Sequence, residues 1–155
     1  MPSYAELHCI SNFSFLKGAS HPEEMVERAK TLGYRAIAIT DECSVAGIVR
    51  AHVAAQAAGI QLIIGSEFQL EEGTRFILIA KNRSGYGYIC NLISTARRRA
   101  PKGDYYLSYK HFVETENNCI AIWLPGNESL EEARTKVVPW LKHYFENQVW
   151  IGFNQ

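Results

Sequence analysis

The first part of the chain alternates short apolar runs with amphipathic segments. Apolar runs at residues 4–10, 35–40 and 61–65 predict three strands, and helical spacing at residues 20–33 and 46–58 predicts two helices. Ser20 with Glu23 is typical of a capping box at the start of the first helix, which Gly33 would end. Strand and helix units that repeat about every 25 residues indicate an α/β fold with a parallel sheet or barrel.

The second part of the chain predicts a mixture of strands and helices. Residues 68–70 and 75–80 flank a turn at 71–74, and a helix is expected from Ser84 to the arginines near residue 98. After a loop to Tyr106, Ser108 would cap one helical turn, and residues 119–124 form another strand. Ser129 with Glu132 predicts a second capping box, on a helix that Pro139 would kink, and residues 149–153 form a last strand.

Composition describes one globular domain with uneven charge. The chain has 155 residues, 47% of them hydrophobic, and its 16 basic and 16 acidic residues cancel. Net charge therefore gives no reason to expect wholesale nucleic-acid binding. Residues 75–110, however, hold eight basic residues and a single acid, Asp104, so this segment is strongly cationic.

Cysteine spacing and hydropathy bear on the compartment. The four cysteines show no C-x-x-C pattern, the first residues lack an export signal, and no apolar run approaches the roughly 20 residues of a membrane span. We therefore expect a cytoplasmic protein with reduced thiols and no membrane contact.

Polar side chains with metal-binding chemistry follow three predicted strands. His8 lies near the end of the first strand, Asp41 and Glu42 follow the second, and Glu67 follows the third. Because parallel strands end at a common rim, these groups could form a thin site for zinc, manganese or magnesium. The alternatives are a histidine bonded to a backbone carbonyl, an aspartate that caps a turn, and an ion pair between Glu67 and Arg75.

A basic and aromatic segment is the second candidate site. Arg97, Arg98 and Arg99 precede Lys102, and tyrosines follow at 105, 106 and 109. Cations interleaved with aromatic rings are typical of phosphate-backbone binding, although a solvated helix end has the same composition.

The successive motifs HCIS (8–11), GASHPEE (18–24), ITDE (39–42), IGSE (64–67) and KNRSGY (81–86) resemble those of the polymerase and histidinol phosphatase (PHP) domain. The sequence of residues 11–24 and the triple arginine before Pro101 resemble more narrowly the PHP domain at the N-terminus of bacterial error-prone DNA polymerase III alpha subunits, which are C-family polymerases. The likeness covers essentially the whole chain.

The resemblance implies a distorted seven-stranded β/α barrel that binds up to three metal ions. Residues 1–155 would be one PHP-domain fragment, the N-terminal part of that barrel, without the polymerase palm and fingers. His8, Asp41 and Glu67 match the family's ligand positions. Ile10 and Arg75 stand where the family has histidines, and Glu42 also replaces a histidine.

Two altered positions argue against metal binding, because an alkyl group donates no electrons and a fixed guanidinium repels divalent cations. The hypothesis that follows is a non-catalytic scaffold with a degenerate site, more consistent with no bound metal, within a polymerase that acts in damage-induced translesion synthesis. The partners would be the remaining polymerase domains and, through the parent, DNA. The alternatives are a metal-dependent phosphoesterase or exonuclease and a single-stranded DNA-binding module, and the fragment is also expected to self-associate.

Overall fold

The computed structural model describes residues 4–112, 118–126, 128–146 and 148–153. The chain divides into two compact units, Met1–Ser66 and Glu67–Gln155. Both units combine strands and helices, so the predicted α/β class is confirmed.

Three parallel strands and two helices form the first unit. Strand β1 (Ala5–Glu6) pairs with β2 (Ala36–Ile39), which pairs in turn with the first part of β3 (Gln61–Gln69). Helices α1 (Pro22–Thr31) and α2 (Ile48–Ala58) lie between these strands in the chain and pack against each other. Their buried residues form one core with the strands: Val26, Ala29, Ile37, Ile39, Ile48, Ala51, Ala55 and Ile60.

The structure corrects several predictions in the first unit, where α2 begins two residues later than expected and β2 is one residue shorter at each end. Strand β1 ends at Glu6 instead of Ile10, because the Glu6 carboxylate accepts hydrogen bonds from the N–H groups of Leu7 and His8 and turns the chain out of the sheet. The α1 cap is one residue later than predicted, with His21 N–H donating to Glu24. Leu32, which lies within the range 20–33 predicted as helical, is exposed and follows the last helical residue.

Strand β3 is longer than predicted, because the chain stays extended through Gly65 and Ser66 to Gln69. Its buried centre contains Ser66, whose hydroxyl is hydrogen-bonded to backbone groups of the first unit. The sequence reads Gly65 as the end of a strand, whereas here the polar side chain that follows is satisfied inside the protein.

The sheet of the second unit contains one antiparallel and one parallel pair of strands. Strand β4 (Arg75–Ala80) follows a turn in which Leu70 N–H donates to the Thr74 carbonyl. It pairs antiparallel with β5 (Cys119–Leu124), which pairs in parallel with β6 (Val149–Ile151). The β4 and β5 bounds match the prediction, whereas β6 stops two residues earlier than expected.

In the second unit the structure confirms the predicted Ser129 cap, whereas the helix after β4 begins at Arg83 instead of the predicted Ser84. Helix α3 (Arg83–Arg98) begins at Asn82, whose side chain accepts the N–H of Gly85, and Ser129 caps α4 (Leu130–Glu132) through Glu132 N–H. A π-helical turn (Ala133–Val137) then leads into α5 (Val138–Phe145). The predicted disturbance at Pro139 therefore takes the form of a widened turn, in which the proline's missing N–H and bulky ring are accommodated.

Aromatic side chains fill the core of the second unit. Phe76 of β4 contacts Phe112, Trp140 and Phe145 with ring centroids 5.7–6.4 Å apart. The four cysteines all lie within the described ranges, and none of them forms a disulfide there. Among the helices described, none combines the length and apolarity that a membrane crossing requires.

Candidate functional site

Asp41 follows strand β2 and is only 1% exposed. Its position is fixed by the preceding residue, since the N–H of Thr40 donates to the Cys9 carbonyl at 2.8 Å. A carboxylate that is removed from water needs donors or cations around it. Asp41 is therefore the residue of the first unit whose surroundings are most informative about function.

Hydrogen bonds from two serines surround the Asp41 carboxylate. The Ser11 N–H donates to Oδ1 at 2.8 Å, the Ser11 hydroxyl to Oδ2 at 2.7 Å, and the Ser14 hydroxyl to Oδ1 at 2.7 Å. Both serines are buried, and the Ser14 N–H donates to the Ser11 carbonyl, so the two hydroxyls are held on one turn. Three donors of this kind satisfy a buried carboxylate without a metal ion.

The same serines connect Asp41 to neighbouring backbone. The Ser14 hydroxyl accepts the Glu42 N–H at 2.8 Å, and the Ser66 hydroxyl donates to the Asp41 carbonyl at 2.8 Å. We refer to Asp41, Ser11, Ser14 and Ser66 as the serine–aspartate cluster. Its members cross-link the loop after β1, the loop after β2 and strand β3.

Two glycines allow the chain to close around this cluster. A Cβ at Gly18 would lie 2.1 Å from the Ser11 carbonyl oxygen. A Cβ at Gly47 would lie 2.8 Å from the Pro22 ring and 3.4 Å from Asp41 Oδ2. Backbone therefore packs where a larger side chain or an additional ligand would need space.

Glu42 forms an ion pair with Lys17, whose Nζ lies 2.5 Å from Glu42 Oε2. The Glu42 side chain is 17% exposed and the Lys17 side chain 49% exposed, so the pair lies near the surface. Glu42, which stands where the PHP motifs have a histidine, is therefore paired with a cation of this chain.

His8 and Cys9 lie in the loop that follows β1, not on the strand itself. His8 is half-buried and its N–H donates to Glu6 Oε1 at 3.2 Å. Burial, reinforced by the carboxylates of Glu6 and Asp41, raises the pKa of the Cys9 thiol to about 12. Cys9 is therefore a neutral thiol at physiological pH and a poor metal ligand, since thiolates bind metals.

In the second unit, Glu67 pairs with Arg75. The Arg75 Nη2 and Nε lie 3.0 Å and 3.1 Å from Glu67 Oε1. The Glu67 side chain is 1% exposed, whereas 41% of the Arg75 side chain is exposed. The guanidinium therefore covers the carboxylate from the solvent side, in the ion pair that the sequence offers as an alternative to metal binding.

The predicted basic segment divides into a structural and an exposed part. Arg97 donates to the carbonyls of Gly103 and Asp104 and lies 5.4 Å from the centroid of the Tyr105 ring, so it holds the loop after α3. The remaining cations of the set form an exposed basic cluster, defined here as Arg98, Arg99 and Lys102.

A polar turn follows the basic segment. The Ser108 N–H donates to His111 Nδ1 at 3.0 Å, and the Ser108 hydroxyl donates to Glu72. Burial, with the cations Arg99 and Lys110, lowers the pKa of His111. The pKa of Glu72 is also lowered, because hydrogen bonds from Ser108 and from backbone outweigh the opposing effect of burial.

Sequence reasoning identified the acids and offered Arg75 as the partner of Glu67, but it missed the partners of Asp41 and Glu42. Ser11 and Ser14 were not recognised as donors to Asp41, nor Lys17 as a partner of Glu42, nor Ser66 as a buried cross-link. The available signal was two serines three residues apart in a loop directly after a strand, which is the spacing of a hydroxyl-lined turn. Across the described ranges, no three side chains of the His, Cys, Asp and Glu types are grouped so as to hold a metal ion.

Comparison with known proteins gives consistent results. The profile of the PHP domain family matches residues 6–154. Over 153 residues the chain is 49% identical to an error-prone DNA polymerase of Pseudomonas fluorescens, and over 151 residues it is 50% identical to one of Methylococcus capsulatus. These alignments cover 98% and 96% of this chain but 14% of each relative's length.

Solved structures support the predicted PHP-type fold. A crystal structure from Bifidobacterium adolescentis, described as a candidate metal-dependent phosphoesterase, matches with a TM-score of 0.63 at 14% identity and covers 97% of this chain and 77% of its own. An amidohydrolase from Chromobacterium violaceum matches with a TM-score of 0.52 at 23% identity and covers 61% of this chain and 33% of its own.

Proposed function

Because the chain belongs to the PHP family, we propose that it is the non-catalytic PHP module of an error-prone DNA polymerase III alpha subunit, a bacterial cytoplasmic enzyme of damage-induced translesion synthesis. Its likeness to error-prone DNA polymerases over nearly its whole length supports this parent. Since the chain spans 14% of those relatives, nucleotide transfer is proposed for the parent and not for this segment. The module's direct partners would be the other domains of the same polymerase.

The observation that carries the scaffold proposal is the set of donors around Asp41. A metal ligand must direct a lone pair at the ion, but the Asp41 oxygens accept three hydrogen bonds from Ser11 and Ser14. A Cβ at Gly47 would already lie 3.4 Å from Oδ2, so there is little space beside this oxygen. The residues present here do not fit the metal centre that the family implies, and the cluster acts instead as an anchor for three chain segments.

Positively charged side chains beside Glu42 and Glu67 also argue against a metal ion at these two carboxylates. The guanidinium of Arg75 lies against buried Glu67, and Lys17 lies against Glu42. A divalent ion at either carboxylate would have to displace or approach a fixed positive charge, which Coulomb repulsion opposes at these separations. Ile10 adds no donor atom where a second imidazole would be needed.

A hydrolysis assay tests the proposal. The chain is incubated with p-nitrophenyl phosphate and with end-labelled single-stranded DNA in the presence of Zn²⁺, Mn²⁺ or Mg²⁺, beside the variants Asp41→Asn and Asp104→Asn. Asp104 is the matched control because it is an exposed aspartate. We expect the same background signal from all three proteins.

Metal-dependent turnover that Asp41→Asn abolishes and Asp104→Asn retains would contradict the proposal. It would favour the rival function, a phosphoesterase or exonuclease of the kind named for the Bifidobacterium structure. Metal-dependent activity that neither variant changes would not depend on Asp41, and it too would contradict a non-catalytic module.

A second candidate function, binding of single-stranded DNA, depends on the exposed basic cluster. Arg98, Arg99 and Lys102 are exposed, so their charges are accessible to phosphate groups. Arg97 and Tyr105 contribute less, because Arg97 is bonded to loop carbonyls and the Tyr105 hydroxyl accepts the N–H of Gln69. Three cations on a chain of zero net charge support only weak binding.

A further inference from the structure

The loop after β1 carries two large apolar side chains that project into solvent. Phe15 is 85% exposed and Leu16 is 89% exposed. We refer to these two residues as the apolar tip. Ser11 and Ser14, on the same loop, are buried and donate to Asp41. The loop therefore buries two hydroxyl groups and exposes two large apolar groups, which is the reverse of the usual distribution in a surface loop.

Backbone hydrogen bonds hold the apolar tip in one conformation. The Lys17 N–H donates to the Ser14 carbonyl at 3.0 Å and the Gly18 N–H donates to the same carbonyl at 3.1 Å, so the residues on either side of the tip are joined. At the base of the loop, the Asn12 N–H donates to the Ser20 carbonyl at 2.9 Å. Because Ser14 belongs to the serine–aspartate cluster, the tip is fixed to the interior of the first unit through that cluster.

Leu16 adopts a backbone conformation that its residue type disfavours. Its φ is +62°, in the left-handed region. Turn positions of this kind are usually occupied by glycine or asparagine, and a residue with a Cβ is strained there. Because the Leu16 side chain is exposed, packing within the first unit does not compensate for the strain. Strain without a local gain in packing is typical of positions that serve binding.

Charge at the apolar tip favours an apolar partner over nucleic acid. Residues 11–20 contain one charged residue, Lys17, and its ammonium group pairs with Glu42. The tip thus offers no uncompensated charge to phosphate groups. Large apolar side chains held rigidly above a surface are typical anchors of protein contacts, because little conformational entropy is lost when they bind.

We propose that the apolar tip inserts into an apolar pocket on another domain of the parent polymerase. This inference rests on the proposed function, since the chain spans 14% of its polymerase relatives and the partner is part of the remainder. A domain of the same polypeptide is present at an effective concentration of about millimolar, which favours it over a separate protein. A second copy fits less well, because two side chains bury far less than the roughly 800 Å² per partner of a standard interface.

Hydroxyl-radical footprinting tests the proposal in an intact polymerase. This chain replaces the matching segment of the Methylococcus capsulatus polymerase, and nucleotide incorporation confirms that the chimera is assembled. In the isolated chain, Phe15 should be oxidised at the rate of an exposed phenylalanine. In the chimera its rate should fall towards that of the buried Phe68, whereas Val53, 62% exposed on α2, should keep its rate.

A glycine substitution separates docking of the tip from stability of the chain itself. Leu16→Gly should leave the Tm of the isolated chain within about 2 °C of the parent value or raise it, because glycine adopts this φ without strain and an exposed side chain is lost. In the chimera the same variant should increase the oxidation rate of Phe15, because one of the two anchors is missing. The matched control Val53→Ser should change neither quantity.

Three results would each overturn the proposal. The first is oxidation of Phe15 at equal rates in the chimera and in the isolated chain. The second is a Leu16→Gly chimera in which Phe15 stays as protected as before, and the third is a marked fall in the Tm of the isolated Leu16→Gly chain, which would mean that Leu16 packs within the first unit. None of them alters the hydrolysis assay with Asp41→Asn, so failure of this proposal is distinguishable from failure of the proposed function.

Discussion

Replacement of Asp41 by Asn shows whether this carboxylate is structural or a metal ligand. The substitution should lower the free energy of unfolding in the first case, and should leave it unchanged or raise it in the second. The substitution keeps the size of the side chain but removes the charge that accepts three hydrogen bonds from Ser11 and Ser14. Hydrogen bonds to a charged group contribute about 1.5–3 kcal/mol and neutral ones about 0.5–1.5 kcal/mol. A loss of about 1 kcal/mol for each bond therefore predicts a total destabilisation of about 3 kcal/mol.

The assay is urea and thermal unfolding followed by circular dichroism in the presence of EDTA. For a chain of this size 1 kcal/mol corresponds to roughly 2–4 °C in Tm, so Asp41→Asn should lower Tm by about 6–12 °C. The control Asp104→Asn alters an exposed carboxylate and should change the free energy of unfolding by at most about 0.5 kcal/mol.

The opposite sign would refute the reasoning. In a metal site stripped of its ion, clustered carboxylates repel each other and lack donors, so neutralising one of them relieves strain. An Asp41→Asn chain that is as stable as the parent in EDTA, or more stable, would mean that the serines do not satisfy the carboxylate.

Three further predictions concern the second unit. Arg75→Met should destabilise the chain by about 2–3 kcal/mol in urea melts, which is less than the loss of a fully buried pair because the Arg75 side chain is 41% exposed. Adding Glu67→Gln should restore part of this loss, and equal stability of the single and double variants would exclude the ion pair as the cause. Burial and neighbouring cations lower the pKa of His111, so the unfolded chain binds the proton more readily and the free energy of unfolding should fall as pH drops below about 6.5. His111→Gln should flatten this dependence. An unchanged pH profile would contradict the assignment of Nδ1 as the acceptor of the Ser108 N–H. Binding to single-stranded DNA, measured by fluorescence anisotropy, should weaken as salt is added. A plot of log binding constant against log salt concentration should have a slope no steeper than about 2 in magnitude, since three exposed cations release about 0.7 counterions each, and a steeper slope would require a larger basic surface.

Elements with strong local signals could be predicted from the sequence. Strands β4 and β5 have clear boundaries because their apolar runs are flanked by turn residues. The Ser129 cap is a contact between residues three positions apart, so it is readable from the chain alone. Such features depend on neighbours in sequence and need no knowledge of the fold.

Features that depend on distant or side-chain contacts were missed. The early end of β1 results from hydrogen bonds between the Glu6 side chain and backbone, which a hydrophobic pattern cannot reveal. Strand β3 continues through Ser66 because partners more than 20 residues away satisfy its hydroxyl. A polar residue therefore marks the end of a strand only where the fold supplies no partner.

The candidate site shows the same division. Asp41 and Glu67 could be chosen from the sequence because carboxylates after buried strands demand partners. The partner of Glu67 was within reach, since Arg75 lies eight residues later on the next strand. The partners of Asp41 lie 27 and 30 residues away, and only the folded chain identifies them as serines.

Metal content of the chain purified without chelator, followed by calorimetric titration with Zn²⁺ and Mn²⁺, tests the central claim most directly. If the chain's own donors and cations satisfy Asp41, Glu42 and Glu67, the protein should contain only substoichiometric metal. The titration heats should then be the same for the parent chain and for Asp41→Asn. Near-stoichiometric zinc or manganese that Asp41→Asn removes and Asp104→Asn retains would contradict the account.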